Sequence, residues 1–287
     1  MLLPKDIEGK RIVYACFDWG LGHLTRSIPL LLQLEKQGNE IVFLGSDSQI
    51  ALLQDYGFKG KTELLDGSNL KFSGSGNFVL EGIRNLLKGP RFIRNDKAAL
   101  KLLLKSFPAD YIISDHRYGF SNKNVHSIFL THQVQLPEDT PRLVSSLHRN
   151  WLMDFKTIWI LDSAEKRLAG NLSTCPEKGV YIGWYSRFMQ LAQPLKTDKG
   201  LVGIVSGPEP YSDQLFQLFE KVASTLNCKM TIVCAERFHT NEHNITLVHD
   251  FQEADTLIAG AELILSRNGY STLMDLTFLK KKALLLA

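Results

Sequence analysis

The feature that most limits what this chain can fold into is an order of elements set out twice along it: an apolar run of strand length, a glycine-containing loop, then a segment with helical spacing. In the first half, residues 11–17 form such a run, with Ile12, Val13 and Tyr14, and Asp18-Trp19-Gly20 bounds it. A helix is expected over 23–37, where Leu24, Ile28, Leu31, Leu32 and Leu34 recur near helical spacing and Gly38 is a natural stop. Residues 40–45 read as the next strand and 47–56 as a helix closed by Gly57. Further strands are expected at 111–114, 127–130 and 157–161. The series restarts near Leu201, with strands at 201–205, 230–234, 245–248, 263–265 and 283–286 and helices at 211–226, 253–260 and 269–278. Strands that alternate with helices in this way form a parallel sheet covered by helices. The fold class expected is therefore α/β, with two Rossmann-like parallel-sheet domains.

Length agrees. A chain of 287 residues suggests about two domains at roughly 100–200 residues each. The polar stretch around Pro194, Lys196 and Lys199 divides the chain into a first domain over 1–190, a linker over 191–200 and a second domain over 201–287. The second domain reads as incomplete at its C-terminal end, because no helix follows its last apolar run. Hydrophobic residues make up 44% of the chain, enough for an ordinary buried core, and a net charge of +3 is too small to argue for nucleic acid. Cys16, Cys175, Cys228 and Cys234 form no CxxC pair and read as free thiols of a reducing, cytoplasmic setting. No signal peptide or membrane span is visible. Residues 78–105 read as a helical region, interrupted near Gly89-Pro90, with Arg84, Lys88, Arg91, Arg94, Lys97, Lys101 and Lys105 beside Leu86, Leu87 and Phe92. Such a face suits a peripheral approach to anionic lipid at the inner face of a membrane. A solvated basic helix face is the plainer reading.

The first candidate site is Asp18-Trp19-Gly20-Leu21-Gly22-His23-Leu24-Thr25-Arg26, between the first strand and its helix. Gly20 and Gly22 let the backbone approach a ligand, and the helix start offers amide N–H groups that suit a diphosphate. His23 and Arg26 would add hydrogen bonds or charge. A dinucleotide fingerprint fits less well: Thr25 stands near the place of the third glycine, although Asp47 after the second strand would suit a ribose. Two further polar groups follow strands, Asp115-His116-Arg117-Tyr118 and Thr131-His132-Gln133, at the strand ends where open α/β sheets gather ligands. His239, His243 and His249 are irregularly spaced and read as surface. No Asp-x-Asp motif or metal set is present in the sequence.

The second candidate site is His249-Asp250-Phe251 together with Ser266-Arg267-Asn268-Gly269-Tyr270-Ser271-Thr272-Leu273-Met274-Asp275. Here the sequence resembles a family, the GT-B glycosyltransferases similar to the lipid-linked N-acetylglucosaminyltransferase of peptidoglycan synthesis. Gly20, Gly22 and His23 match that family's first glycine loop. The segment from Ser266 to Asp275 matches its Ser/Cys-Arg-x-Gly-x-x-Thr-x-x-Glu pattern, with Asp in place of Glu. The resemblance implies that Asp275 holds the ribose, that Gly269, Ser271 and Thr272 lie near the diphosphate with Arg267, and that Phe251 offers backbone contacts to the base. Ser206 and Gly207 stand where the family opens its second domain with a glycine loop. The reaction implied is transfer of a hexose or N-acetylhexosamine from a nucleotide diphosphate, UDP by preference, to a lipid-linked or small-molecule acceptor, with inversion and no cofactor. His23 is the first candidate for general base, and Asp115 and His116 are the next. A nucleotide-sugar 2-epimerase, which wants several carboxylates at the cleft, and a non-catalytic nucleotide-sugar binding subunit are the alternatives.

Overall fold

The computed structural model describes residues 2–18, 21–65, 89–190 and 200–286. The Gly/Ser-rich stretch 66–77, residues 78–88 of the expected helical region, most of the expected linker (191–199) and Gly20 lie outside these residues. The chain divides into two compact units that meet in sequence between Tyr185 and Ser186.

The first unit is built on a seven-stranded sheet, entirely parallel. In chain order its strands are β1 (Arg11–Cys16), β2 (Glu40–Gly45), β3 (Lys61–Leu64), β4 (Tyr111–Asp115), β5 (His126–Thr131), β6 (Thr157–Ile160) and β7 (Gly179–Tyr181). Across the sheet they run β3-β2-β1-β4-β5-β6-β7. The helices are α1 (Gly22–Lys36), α2 (Asp47–Asp55), α3 (Gly89–Ser106) and α4 (Arg142–Leu152). On one face Val13, Ala15, Val42, Leu44 and Ile112 pack with Leu100, Leu103 and Phe107 from α3 and its end. On the other face Tyr14 reaches α1, its hydroxyl 2.8 Å from Ser27 Oγ. Covered on both faces, β1 is buried from Ile12 to Cys16, so its sequence runs apolar without alternation. Asn39 fastens the amino-terminal segment: Nδ2 donates to Ile7 O and Leu34 O, and Oδ1 accepts from the Lys10 amide.

Three elements differ from the sequence expectation. β3 is an exposed edge strand whose Lys61 pairs with Glu40 at 2.9 Å; its charges protect the edge and hide it from an apolar search. β7 has three residues. In α4 only Val144, His148 and Leu152 are buried, a single stripe four residues apart.

The second unit carries a five-stranded parallel sheet in the order β10-β9-β8-β11-β12. These strands are β8 (Leu201–Ile204), β9 (Met230–Val233), β10 (Ile245–Val248), β11 (Leu263–Arg267) and β12 (Ala283–Leu286), with helices α5 (Tyr211–Leu226), α6 (Phe251–Gly260) and α7 (Tyr270–Leu279). Gly203 lets α5 lie close on the sheet: a Cβ there would sit 2.7 Å from the Phe219 ring. α6 begins two residues earlier than expected because Asp250 caps it, accepting from the Glu253 amide at 2.8 Å. Phe188 is fully buried among Val202, Ile258, Ala259 and Ile264. Among the described residues no helix is long and apolar enough to cross a membrane.

Candidate active site

In both sheets the order of strands reverses once, between β1 and β4 in the first unit and between β8 and β11 in the second. Adjacent loops leave such a point in opposite directions and open a crevice at the carboxyl ends of the strands, which is where doubly wound sheets bind ligands.

At the first reversal Cys16 and Asp115 are register partners, and the Phe17 amide donates to Asp115 O at 2.8 Å. That pairing brings the start of α1 against the end of β4. Asp115 is fully buried and ringed by donors. Arg26 grips it side-on, with Nε 2.7 Å from Oδ2 and Nη2 bonded to Oδ1. Ser27 Oγ donates to Oδ2 at 3.2 Å. His23 Nδ1 lies 2.9 Å from Oδ1, and its Nε2 makes no hydrogen bond with the described residues. Burial alone would push the Asp115 carboxyl up. The Arg26 charge and the hydrogen bonds from Arg26 and His23 outweigh it and hold Asp115 well below the usual carboxylate range, so it is ionised.

The histidines are shifted the other way. Burial, then the Arg26 charge, lower His23 from its ordinary value, against the opposing pull of Asp115. Burial lowers His116 and His132 further, with help from neighbouring cationic groups. All three are therefore neutral imidazoles around pH 7. The His23 ring meets the His116 ring edge-on at 5.1 Å, and His116 lies 5.6 Å from His132. His116 adopts a left-handed backbone (φ 58°), rare for a residue with a side chain, and Thr131 Oγ1 lies 2.6 Å from its Nε2. Ser114 locks that turn, its Oγ donating to Arg117 O at 2.6 Å. Among the described residues no group of three or more His, Cys, Asp or Glu side chains is placed to hold a metal ion.

The sequence-derived candidates thus fall as follows. His23, Asp115 and His116 come together. Arg26, expected to meet a diphosphate, is 2% exposed and faces Asp115, His23 and His132. His132, read from sequence only as a residue at a strand end, is drawn into the cluster by its bond to Arg26 Nη1 at 2.9 Å. Gly22 is the first residue of α1.

At the second reversal the loop after β8 and the turn after β11 approach each other. Gly207 has φ 101°, a conformation that favours glycine, and a Cβ there would lie 3.5 Å from Arg267 Nη1. The Arg267 guanidinium sits 5.2 Å from the Tyr211 ring centre. Gly269 stands at the N-cap of α7 with no side chain capping the helix, and Ser271 and Thr272 follow in its first turn. Ser206 is half-buried beside Gly207, and Phe251 is the first residue of α6. Asp275 lies inside the second unit. Its Oδ1 accepts from Ser186 Oγ at 2.6 Å, and Arg187 Nη1 is 3.8 Å from Oδ2. Burial, opposed by Arg187 and Ser186, pushes its carboxyl up to about 6.

This pair of parallel sheets is the GT-B fold of two Rossmann-like domains. No family model matches the chain, and no curated protein matches it. Solved structures do. The spinosyn rhamnosyltransferase SpnG, complexed with thymidine diphosphate, aligns with a TM-score of 0.62 at 12% identity over 96% of this chain and 80% of that one. The Streptomyces sp. SF2575 glycosyltransferase SsfS6, also with thymidine diphosphate, aligns at 0.64 and 12% identity over 96% and 81%. A UDP-GlcNAc 2-epimerase from Neisseria meningitidis, bound to UDP-GlcNAc, aligns at 0.63 and 12% identity over 96% and 82%. At such identities the likeness establishes the fold and leaves the reaction to the residues.

Proposed function

We propose that the protein is a glycosyltransferase that moves a sugar from a nucleoside diphosphate to an acceptor hydroxyl, with inversion and without a metal. The observation that carries this reading is His23: a neutral imidazole whose Nδ1 lies against an ionised, buried Asp115 and whose Nε2 is unengaged by the described residues. In the reaction His23 Nε2 takes the proton of the acceptor hydroxyl as its oxygen attacks the anomeric carbon. The bond from that carbon to the diphosphate oxygen breaks, and the diphosphate leaves with the electron pair. Asp115 stabilises the imidazolium that forms. General-base catalysis of this kind contributes about 10²–10⁴-fold.

On this reading the first unit takes the acceptor and the second takes the donor. The turn after β11 supports the donor role, because Arg267 and the amino-terminal end of α7 at Gly269, Ser271 and Thr272 suit a diphosphate. Ser206 and Gly207 would border it, and the Phe251 backbone would meet the base. We assign Asp275, already engaged by Ser186, to holding α7 in place. UDP is the preferred donor nucleotide, on the resemblance of the segment from Ser266 to Asp275 to lipid-linked N-acetylglucosaminyltransferases. A lipid-linked acceptor agrees with the outer face of α3, where Arg91, Arg94, Lys97, Lys101 and Lys105 are exposed around Leu102.

The test is release of nucleoside diphosphate from UDP- and TDP-sugars with a panel of acceptors. Turnover that needs acceptor and falls at least a hundredfold in His23→Ala supports the transferase. Interconversion of donor sugars without acceptor would replace it with the epimerase, a reading in keeping with the UDP-GlcNAc 2-epimerase among the similar folds. Binding of UDP that is lost in Arg267→Ala, with no turnover of any kind, would leave a nucleotide-sugar binding protein.

A further inference from the structure

Two oppositely charged groups reach one atom of His23. Its Nδ1 lies 2.9 Å from Asp115 Oδ1 and 2.7 Å from Arg26 Nη2, while Arg26 Nη2 is itself bonded to Oδ1. A neutral imidazole nitrogen carries either a proton or a lone pair. With the proton, Nδ1 donates to Asp115 and confronts the guanidinium N–H. With the lone pair, Nδ1 accepts from Arg26 and confronts the carboxylate. The two forms place the single ring proton on Nδ1 or on Nε2, so this contact decides whether Nε2 accepts or donates. An aspartate alone would hold the Nδ1–H form.

Arg26 cannot turn away from the contest. Its Nε is held by Asp115 Oδ2 at 2.7 Å, its Nη1 by His132 Nδ1 at 2.9 Å, and it is 2% exposed. Because arginine remains protonated, His132 Nδ1 must be the acceptor, which makes His132 the Nε2–H tautomer. Among the described residues the Phe17 ring and the neutral His116 ring also face His23, and neither offers a charge to break the tie.

We propose that Arg26, braced by His132, is a positioning residue that holds His23 in balance between its two neutral tautomers, so that Nε2 serves both as acceptor and as donor of a proton. The inference deepens the proposed transferase reading and rests on it for its use. In the Nδ1–H form Nε2 receives the hydroxyl proton of a bound acceptor. In the Nε2–H form it donates to a bound oxygen. When Nε2 takes the acceptor proton, Nδ1 keeps its own, and the ring becomes the imidazolium that Asp115 stabilises.

The test is nitrogen-15 NMR of the ring nitrogens in the full unliganded chain at neutral pH, labelled at its eight histidines, with His23→Gln identifying the His23 signals by their loss. Wild type is expected to show both His23 nitrogens midway between the protonated and the bare positions. Arg26→Lys keeps the charge but cannot hold Asp115 and His132 together, and is expected to move Nδ1 to the protonated position. His132→Gln is expected to move it partway in the same direction and serves the test if Arg26→Lys fails to fold. Asp115→Asn is expected to move it the opposite way. A wild-type His23 already wholly in the Nδ1–H form, or shifts unmoved in both Arg26→Lys and His132→Gln, would overturn the inference. The measurement needs no nucleotide sugar, so a protein that balances its tautomers as expected yet transfers no sugar would refute the function and leave the inference standing.

Discussion

The Ser186 hydroxyl lies 2.6 Å from Asp275 Oδ1, joining two residues 89 positions apart in sequence and fastening a buried carboxyl into the second unit. Arg187 makes its closer bond elsewhere, to Asp255 at 2.7 Å, and stands 3.8 Å from Asp275. Asp275 is therefore a buried acid without a full counter-charge, and its carboxyl rises from 3.8 to about 6. A raised carboxyl favours the folded state while protonated. The stability it adds is complete below about 4 and is lost as the pH rises through about 6. A shift of that size corresponds to about 3 kcal/mol. Asp275→Asn is expected to gain stability relative to wild type at pH 8 and to show little gain at pH 4, as measured by urea unfolding at the two values.

His23 lies below its ordinary value, chiefly through burial and then through Arg26. As a base it works unprotonated, so kcat/KM should keep its plateau below the pH at which an exposed imidazole titrates and fall only on the acid side of it. Asp115 pulls His23 upward. Asp115→Asn should move that acid limb to still lower pH while reducing the rate by about 10²–10⁴-fold. A pH–rate profile of both proteins reads the two effects separately.

Arg117 and Asp96 form a buried pair, with Nη2 to Oδ1 at 2.6 Å and Nε to Oδ2 at 3.2 Å, and the guanidinium also lies 4.7 Å from the Phe92 ring centre. Arg117→Met removes one partner and strands the buried carboxylate, at an expected cost of about 3–5 kcal/mol. Replacing both residues with apolar ones should cost less than Arg117→Met alone. Gly119 guards the same contact: a Cβ there would come within 2.2 Å of Asp96 Cβ and 2.6 Å of Ile93 O. Gly119→Ala is expected to cost about 1–3 kcal/mol through displaced backbone. Chemical denaturation of these variants tests the order.

Asp162 organises the loop after β6. It accepts from Ser173 Oγ at 2.7 Å and from the amides of Ser163, Leu168 and Ala169. Burial pushes its carboxyl up, but those donors together hold it below its ordinary value. A depressed carboxyl contributes stability that is present above its unfolded value and lost as the pH falls through the folded one. Asp162→Ala should therefore lower the melting temperature at pH 7, and by progressively less as the pH falls below the ordinary carboxylate value, as calorimetry would record.

The elements readable from the sequence were those whose burial is written in their residues. β1, β4 and β5 are apolar because helices cover both of their faces, and the helices over 22–36 and 211–226 carry regular apolar stripes. β3 was hidden because an edge strand carries Lys61 and Glu63, and α4 because its buried stripe is only Val144, His148 and Leu152 among charges. Of the site, the strand ends named His23, Asp115 and His116. What stayed illegible was the inward turn of Arg26. An arginine three residues past a glycine-histidine start reads as a ligand contact, and only the register of β1 against β4, which brings Asp115 to it from 89 positions away, shows that it points into the protein. His132 became part of the cluster for the same reason, through a bond spanning 106 positions.

The parallel direction of all seven strands in the first sheet divides labour between its two rims. The amino rim carries the fastenings: Asn39 and Gln37 tie down the segment that precedes β1, and Asp110 accepts from the Arg11 amide at 2.8 Å. The opposite rim carries the cluster of His23, Asp115, His116 and His132. A sequence library confined to His23, His116 and His132, with Arg117 and Gly119 kept, would thus explore new reactivity while leaving the anchorage of the scaffold in place, which makes this a chain whose chemistry can be redrawn without renegotiating its architecture.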